Sequence, residues 1–210
     1  MTDRRDAGAR HPPASYLDQD LGGFLASVAR REPAPGGGSV AAVTVSLAAA
    51  LVEMAARYSG DLLADGSHLV DSASGLRARA AELADLDARV YQAVIAAYAR
   101  TGDQDPAVRR DAIRTALHNA SEVPLEIARI GAETAKLAAR LVADGKSSLQ
   151  GDAVTALLLT EAAVRSAARL VSINVEAAGG DPDLVRRAQR SVDVAWNATS
   201  GLNSNQREPR

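Results

Sequence analysis

The chain of 210 residues contains no cysteine. That absence excludes disulfides, thiolate nucleophiles and sulfur-ligated metals. Aromatic residues make up only 3% of the sequence although hydrophobic residues make up 47%. Alanine, leucine and valine must therefore supply the packing, and the β-branched and aromatic bias of strands is missing. The three histidines, His11, His68 and His118, lie far apart without metal-ligand spacing. No run of lysine or arginine forms a phosphate-binding stripe, and the net charge is −2, so nucleic acid is not an expected partner. The opening stretch MTDRRDAGARHPPAS has no apolar signal-peptide core, and the apolar run after Ser39 is interrupted by Glu53. That run is short for a membrane span and reads as a core helix. The expectation is a cytoplasmic protein with neither a membrane nor a nucleic-acid partner.

What is present is helical. A chain of this length can bury one sizeable core. Residues 1–14 are charged and rich in glycine and proline and are expected to be a disordered tail; 15–200 read as a single helical domain, and 201–210 as a frayed end. A first helix is expected from Asp18 to Arg31, ended by Pro33 and Pro35. Gly36, Gly37 and Gly38 then form a turn, and Ser39 is a credible N-cap for the next helix. That helix is apolar almost all round, which assigns it the centre of a bundle. Between Ser67 and Arg100, Leu69, Leu76, Leu83, Val90 and Ala97 recur every seven residues, with Ala73, Ala80, Asp87 and Val94 as the companion seam. Such heptads pack long helices at a shallow angle. Asp105 and Pro106 start another helix, which Pro124 is expected to kink or divide. After DGKSSLQGD, Asp152 caps a helix reaching Ala178, and a last helix ends near Ala198. No βαβ alternation occurs. The fold class is an all-α bundle of long helices around a central alanine-rich one.

Four features carry possible chemistry. The Gly36–Ser39 turn opens a helix whose free N–H groups suit an anion, yet a helix junction needs glycine for purely structural reasons too. It is neither a Walker loop nor a Rossmann fingerprint. Asp87 interrupts an apolar seam: either the heptad register shifts there, or an arginine such as Arg89 or Arg165 pairs with it, or it is a cleft carboxylate with a perturbed pKa suited to proton transfer. Asp152 is explained by capping or by catalysis. Asn174, in an apolar helix, has a helix–helix hydrogen bond and a ligand as competing uses.

These stretches together resemble a known family. PAPGGGSVAA (33–42), DLDARVYQAVIAAY (85–98), VPLEIA (123–128), the Gly-Asp pair 151–152 and SIN (172–174) are similar, in order and spacing, to the cyclodeaminase/cyclohydrolase family. That family includes the cyclodeaminase domain of formiminotransferase-cyclodeaminase and bacterial methenyltetrahydrofolate cyclohydrolases. The resemblance implies an all-helical homodimer that binds a tetrahydrofolate derivative and works on its one-carbon unit without a metal. It implies Asp87 and Asp152 as catalytic carboxylates, and Gly36, Gly37, Gly38, Ser39 and Asn174 as substrate-binding residues. Tyr91, one turn from Asp87, is a candidate for ring contact, with core packing as its other use. The expected activity is hydrolysis of the 5,10-methenyl bridge. A chain without an attached formiminotransferase domain tilts the expectation that way, with formimino cyclodeamination as the alternative. Departures from the family pattern keep other readings in view: no lysine occurs between Arg57 and Lys136, GKSS replaces Gly-Asn-x-Asn, and Gly151 and Leu170 replace a serine and an asparagine. They motivate a different amidine, imine or heterocyclic substrate, or a dimeric binding protein without catalysis.

Overall fold

The computed structural model describes residues 15–99 and 105–205. Among these, six α-helices follow one another without a strand: α1 (Leu21–Val28), α2 (Gly37–Ser59), α3 (Gly66–Ala99), α4 (Pro106–Asp144), α5 (Gln150–Ala178) and α6 (Pro182–Asn205). Short 3₁₀ turns at Tyr16–Asp18, Gly60–Leu62 and Ser147–Leu149 join them. The all-α expectation holds. The tail 1–14, the TGDQ linker and the end of the chain beyond Asn205 lie outside the described residues.

α2 occupies the centre, packed against α3, α4 and α5. Ala42, Val45, Ala48, Ala49, Val52 and Ala56 are sealed from solvent. Small side chains let neighbouring backbones approach α2 closely. The same logic acts on α4 at Gly131, where a Cβ would run into Val164 of α5 and press on Val45 of α2. Long helices complete the frame: at 1.5 Å per residue α3 extends about 51 Å and α4 about 58 Å. The heptad reading of α3 is realised, since Leu69, Ala73, Ala80, Leu83, Val94 and Ala97 are buried.

Electrostatic ties stitch the bundle at defined levels. Glu53 of α2 is buried in mid-helix but holds Arg57 at 2.6 Å and Arg77 of α3 at 2.8 Å. Those two guanidiniums keep its pKa below the ordinary carboxylate range. Arg140 of α4 grips Asp65 with two bonds of 2.6 Å, and Arg79 of α3 grips Glu126 of α4.

Several local expectations are corrected. The first helix is shorter than Asp18–Arg31, because the Asp20 side chain caps it by accepting from the Gly23 N–H at 2.6 Å. The N-cap of α2 is Gly36, not Ser39; Ser39 sits inside the first turn and turns toward α3. Asp152 is not a cap either, since Leu149 is the N-cap of α5 and Asp152 lies in its first turn. Pro124 does not divide α4, which runs through it continuously, with the ring buried among its neighbours. α6 continues past Ala198 to Asn205.

Candidate active site

The most distinctive local geometry lies where the first turn of α2 meets the middle of α3. Gly38 presses so closely on Asp87 that a Cβ at position 38 would overlap the carboxylate. Gly38 is thus a requirement of close approach, and what approaches is the acid singled out in the α3 seam. The next residue, Ser39, is fully buried. Its hydroxyl lies 2.8 Å from the Ala84 carbonyl oxygen and 3.2 Å from Asp87 Oδ2. A hydroxyl has one proton to give and two lone pairs to receive. With Asp87 ionised, the Ser39 proton is shared between two acceptors; with Asp87 protonated, the acid donates to Ser39 Oγ while Ser39 donates to Ala84.

Asp87 is half-buried, and burial raises its pKa above the ordinary aspartate value. Hydrogen bonding by the Ser39 side chain and backbone pulls the other way without cancelling the rise. No cation relieves it among the described residues. Arg165 sits 3.4 Å from Glu161 instead, and Arg89 is exposed. The arginine-paired alternative is therefore not realised.

Starting at the same α2 turn, a groove of about 650 Å³ runs between α2 and α5. Gly37, Val40, Ala41 and Leu170 line its glycine end, and Arg165 and Arg169 stand on its α5 wall. A volume of this size suits a small organic ligand. The glycine bend thus meets an uncompensated carboxylate at Gly38 and an arginine-edged groove at Gly37.

The remaining candidates separate. Asp152 is far from Asp87: α5 runs antiparallel to α2, with Gly37 close to Leu170 and Ser59 bonded to the Lys146 N–H at 2.9 Å. The 18 residues from Asp152 to Leu170 span about 27 Å of helix, so one chain does not bring the two carboxylates together. Asn174 donates from Nδ2 to the Ala120 carbonyl at 2.9 Å, tying α5 to α4. Tyr91 is 45% exposed. Sequence reasoning did not single out Arg165 as a groove residue, or Arg169. Their significance depends on which helix faces which, and local sequence offered no cue to it. Among the described residues no group of three His, Asp or Glu side chains is gathered to hold a metal ion. By length and composition Gly37–Leu62 is apolar enough to cross a membrane, but 56% of its apolar window is buried inside the bundle.

Known proteins share this architecture. Formiminotetrahydrofolate cyclodeaminase from Thermotoga maritima superposes with a TM-score of 0.75 at 24% identity, over 88% of this chain and 92% of that one. Methenyltetrahydrofolate cyclohydrolase from Methylorubrum extorquens is 32% identical over 161 residues, 73% of this chain and 77% of the relative. Formimidoyltransferase-cyclodeaminase from Mus musculus is 31% identical over 173 residues, which cover 79% of this chain but only 32% of that longer protein. The family profile described as Formiminotransferase-cyclodeaminase matches residues 20–194, a stretch that contains the glycine bend, Asp87 and both walls of the groove. With that span matched and the bundle shared, the chain belongs to the formiminotransferase-cyclodeaminase family.

Proposed function

We propose that the chain is a folate-dependent one-carbon enzyme that hydrolyses the 5,10-methenyl bridge of methenyltetrahydrofolate, acting in the cytoplasm as a homodimer. The observation that carries this reading is Asp87: a half-buried carboxylate with no cationic partner among the described residues, held against the bare backbone of Gly38. The relative from Methylorubrum extorquens, named for this activity, supports it over most of both chains.

The chemistry suits such a group. The methenyl carbon bridges two nitrogens as a delocalised cation. Water adds to it, and ionised Asp87 takes one water proton as the C–O bond forms, leaving a neutral carbinol. The carbinol collapses as its hydroxyl proton leaves and the bond to N5 breaks. Asp87 returns a proton to that nitrogen, so that one proton is released overall. A carboxyl whose pKa is raised toward the working pH both accepts and returns a proton efficiently. Its negative charge also stabilises the cationic substrate. Gly37 gives the ring access from the groove, and Arg165 and Arg169 suit the carboxylates at the far end of a folate.

The dimer reading draws on α2. Val40, Thr44, Leu47, Leu51, Met54 and Tyr58 follow a four–three–four–three–four spacing along its outer face, with Leu47 56% exposed. Leu158 and Leu159 of α5 are also exposed beside this stripe. A helix apolar on every side calls for cover on every side. A second copy packed antiparallel over α2 and α5 supplies that cover and carries its Asp152 end toward the Asp87 end.

The test is direct. Purified protein should accelerate the loss of near-ultraviolet absorbance of 5,10-methenyltetrahydrofolate, and Asp87→Ala should slow it at least tenfold, about 1.4 kcal/mol of barrier. A rate equal to buffer alone rejects the assignment. Ammonia release from 5-formiminotetrahydrofolate in the same preparation would select the cyclodeaminase alternative, which passes through a similar tetrahedral carbon.

A further inference from the structure

We propose that a second copy of the chain completes the glycine end of the groove, its Lys146 joining Arg165 and Arg169 as the third cation of a seat for the glutamate carboxylates of a reduced folate. The proposal rests on the dimer reading for the partner and on the folate reading for the identity of the anion.

Lysine is scarce in this chain. Only two of its 24 lysines and arginines are lysine, Lys136 and Lys146. Lys136 is paired, 2.9 Å from Glu133. Lys146, in the connection between α4 and α5, pairs with no carboxylate among the described residues. Instead its backbone N–H donates to the Ser59 hydroxyl at 2.9 Å, and its ammonium stands over the Tyr58 ring, 5.9 Å from the centroid. Ser59 is sealed from solvent, whereas Tyr58 is exposed. The lysine is thus tied by both its backbone and its side chain to the last turn of α2, on the face that turns outward. Its compact ammonium on a flexible stem can reach a group beyond the chain's own surface.

The outer stripe of α2 decides what lies opposite that turn. Its four–three–four–three–four spacing from Val40 to Tyr58 reads the same from either end. In a two-fold dimer every contact occurs twice with the roles exchanged, so a stripe symmetric about its centre meets its own copy antiparallel and in register. An axis at the level of Ala49 sets Val40 opposite the partner's Tyr58, Thr44 opposite the partner's Met54, and Leu47 opposite the partner's Leu51. It also carries the partner's Lys146 to the level of Val40. Val40 lines the groove with Arg165 and Arg169. Because Leu170 lies beside Gly37 and α5 runs antiparallel to α2, those two arginines bracket the same level. Arg165 leans on Glu161 at 3.4 Å, and Arg169 has no acidic partner among the described residues. Cations gathered at one mouth repel each other until an anion sits among them. The glutamate end of a folate brings two carboxylates.

The absence of cysteine makes this geometry open to cross-linking. The full chain carrying Val40→Cys together with Lys146→Cys should form a covalent dimer with a short bismaleimide, while each single variant should run as a monomer on a denaturing gel. Val40 and Tyr58 are 18 residues apart, about 27 Å of helix, so the linker does not span the two positions within one subunit, and the axis sets each position equally far from its own copy. No cross-link from the double variant, when wild type sediments as a dimer, would overturn the placement of Lys146 and leave the dimer reading standing; a monomeric wild type would remove both. With 5,10-methenyltetrahydrofolate, Lys146→Ala should raise KM at least fivefold while kcat stays within twofold, and Lys146→Arg, which keeps the charge, should recover most of that loss. Circular dichroism checks that each variant folds. The penalty should disappear with 5,10-methenyltetrahydropteroate, which lacks the glutamate. An equal penalty on both substrates, or none on either, would overturn the carboxylate contact. If wild type turns over no reduced folate, the folate reading fails, and the cross-link, which needs no ligand, alone decides where Lys146 sits: its absence refutes the proposal.

Discussion

Replacing Asp87 by asparagine should make the protein more stable at neutral pH while removing its activity. Burial raises the pKa of Asp87, so the native state favours the protonated acid more than the unfolded chain does. Below the ordinary aspartate range both states hold the proton and the site costs nothing. As pH climbs through that range toward the raised native value, folding must oppose proton release, and above it the cost is complete. With a half-buried group discounted for solvent screening, the expected gain is on the order of 1 kcal/mol. For a chain of this size that is a rise of about 2–4 °C in Tm. Asparagine keeps the shape and leaves an acceptor for the Ser39 hydroxyl. Thermal melts of wild type and Asp87→Asn across pH 3 to 8 give the result. The stability difference should be absent in acid and open in favour of the variant as pH rises. A variant less stable at pH 7, or a difference that ignores pH, would refute the reasoning.

Three further outcomes are expected. Gly38→Ala places a methyl on the Asp87 carboxylate and should cost about 1–3 kcal/mol by overpacking; combining it with Asp87→Ala should restore most of that loss in denaturant melts. Gly131→Ala should destabilise by a similar amount of about 1–3 kcal/mol through its clash with Val164, yet leave KM for methenyltetrahydrofolate unchanged. Leu47→Glu should turn a dimer into a monomer in sedimentation experiments, since it sets a charge in the exposed stripe of α2; a wild-type chain that already sediments as a monomer would defeat the dimer reading.

Much of the scaffold was legible because helix signals are local. The α3 heptads, Asp105 with Pro106, and the glycines after Ala178 each act within a turn or two of the chain, and the observed helices start or stop there. Asp87 was legible as a lone acid in an apolar seam. Ser39 and Asp152 were misread at their helix starts because a short polar residue there has two outlets, its own backbone or a neighbouring helix, and local sequence does not rank them. Ser39 turns outward to Ala84 and Asp87, while the cap positions fall to Gly36 and Leu149.

Composition and periodicity by themselves determined an all-helical chain with an apolar central helix, since propensity, spacing and capping operate over a few residues. Which turns meet was decided only in three dimensions: that Gly38 lies on Asp87, that Asp85 holds Tyr16, and that Asp152 ends up at the far end of the bundle. Those contacts join residues tens of positions apart, and their register comes from the interlocking of side chains across helices, a property of packed surfaces rather than of any one segment.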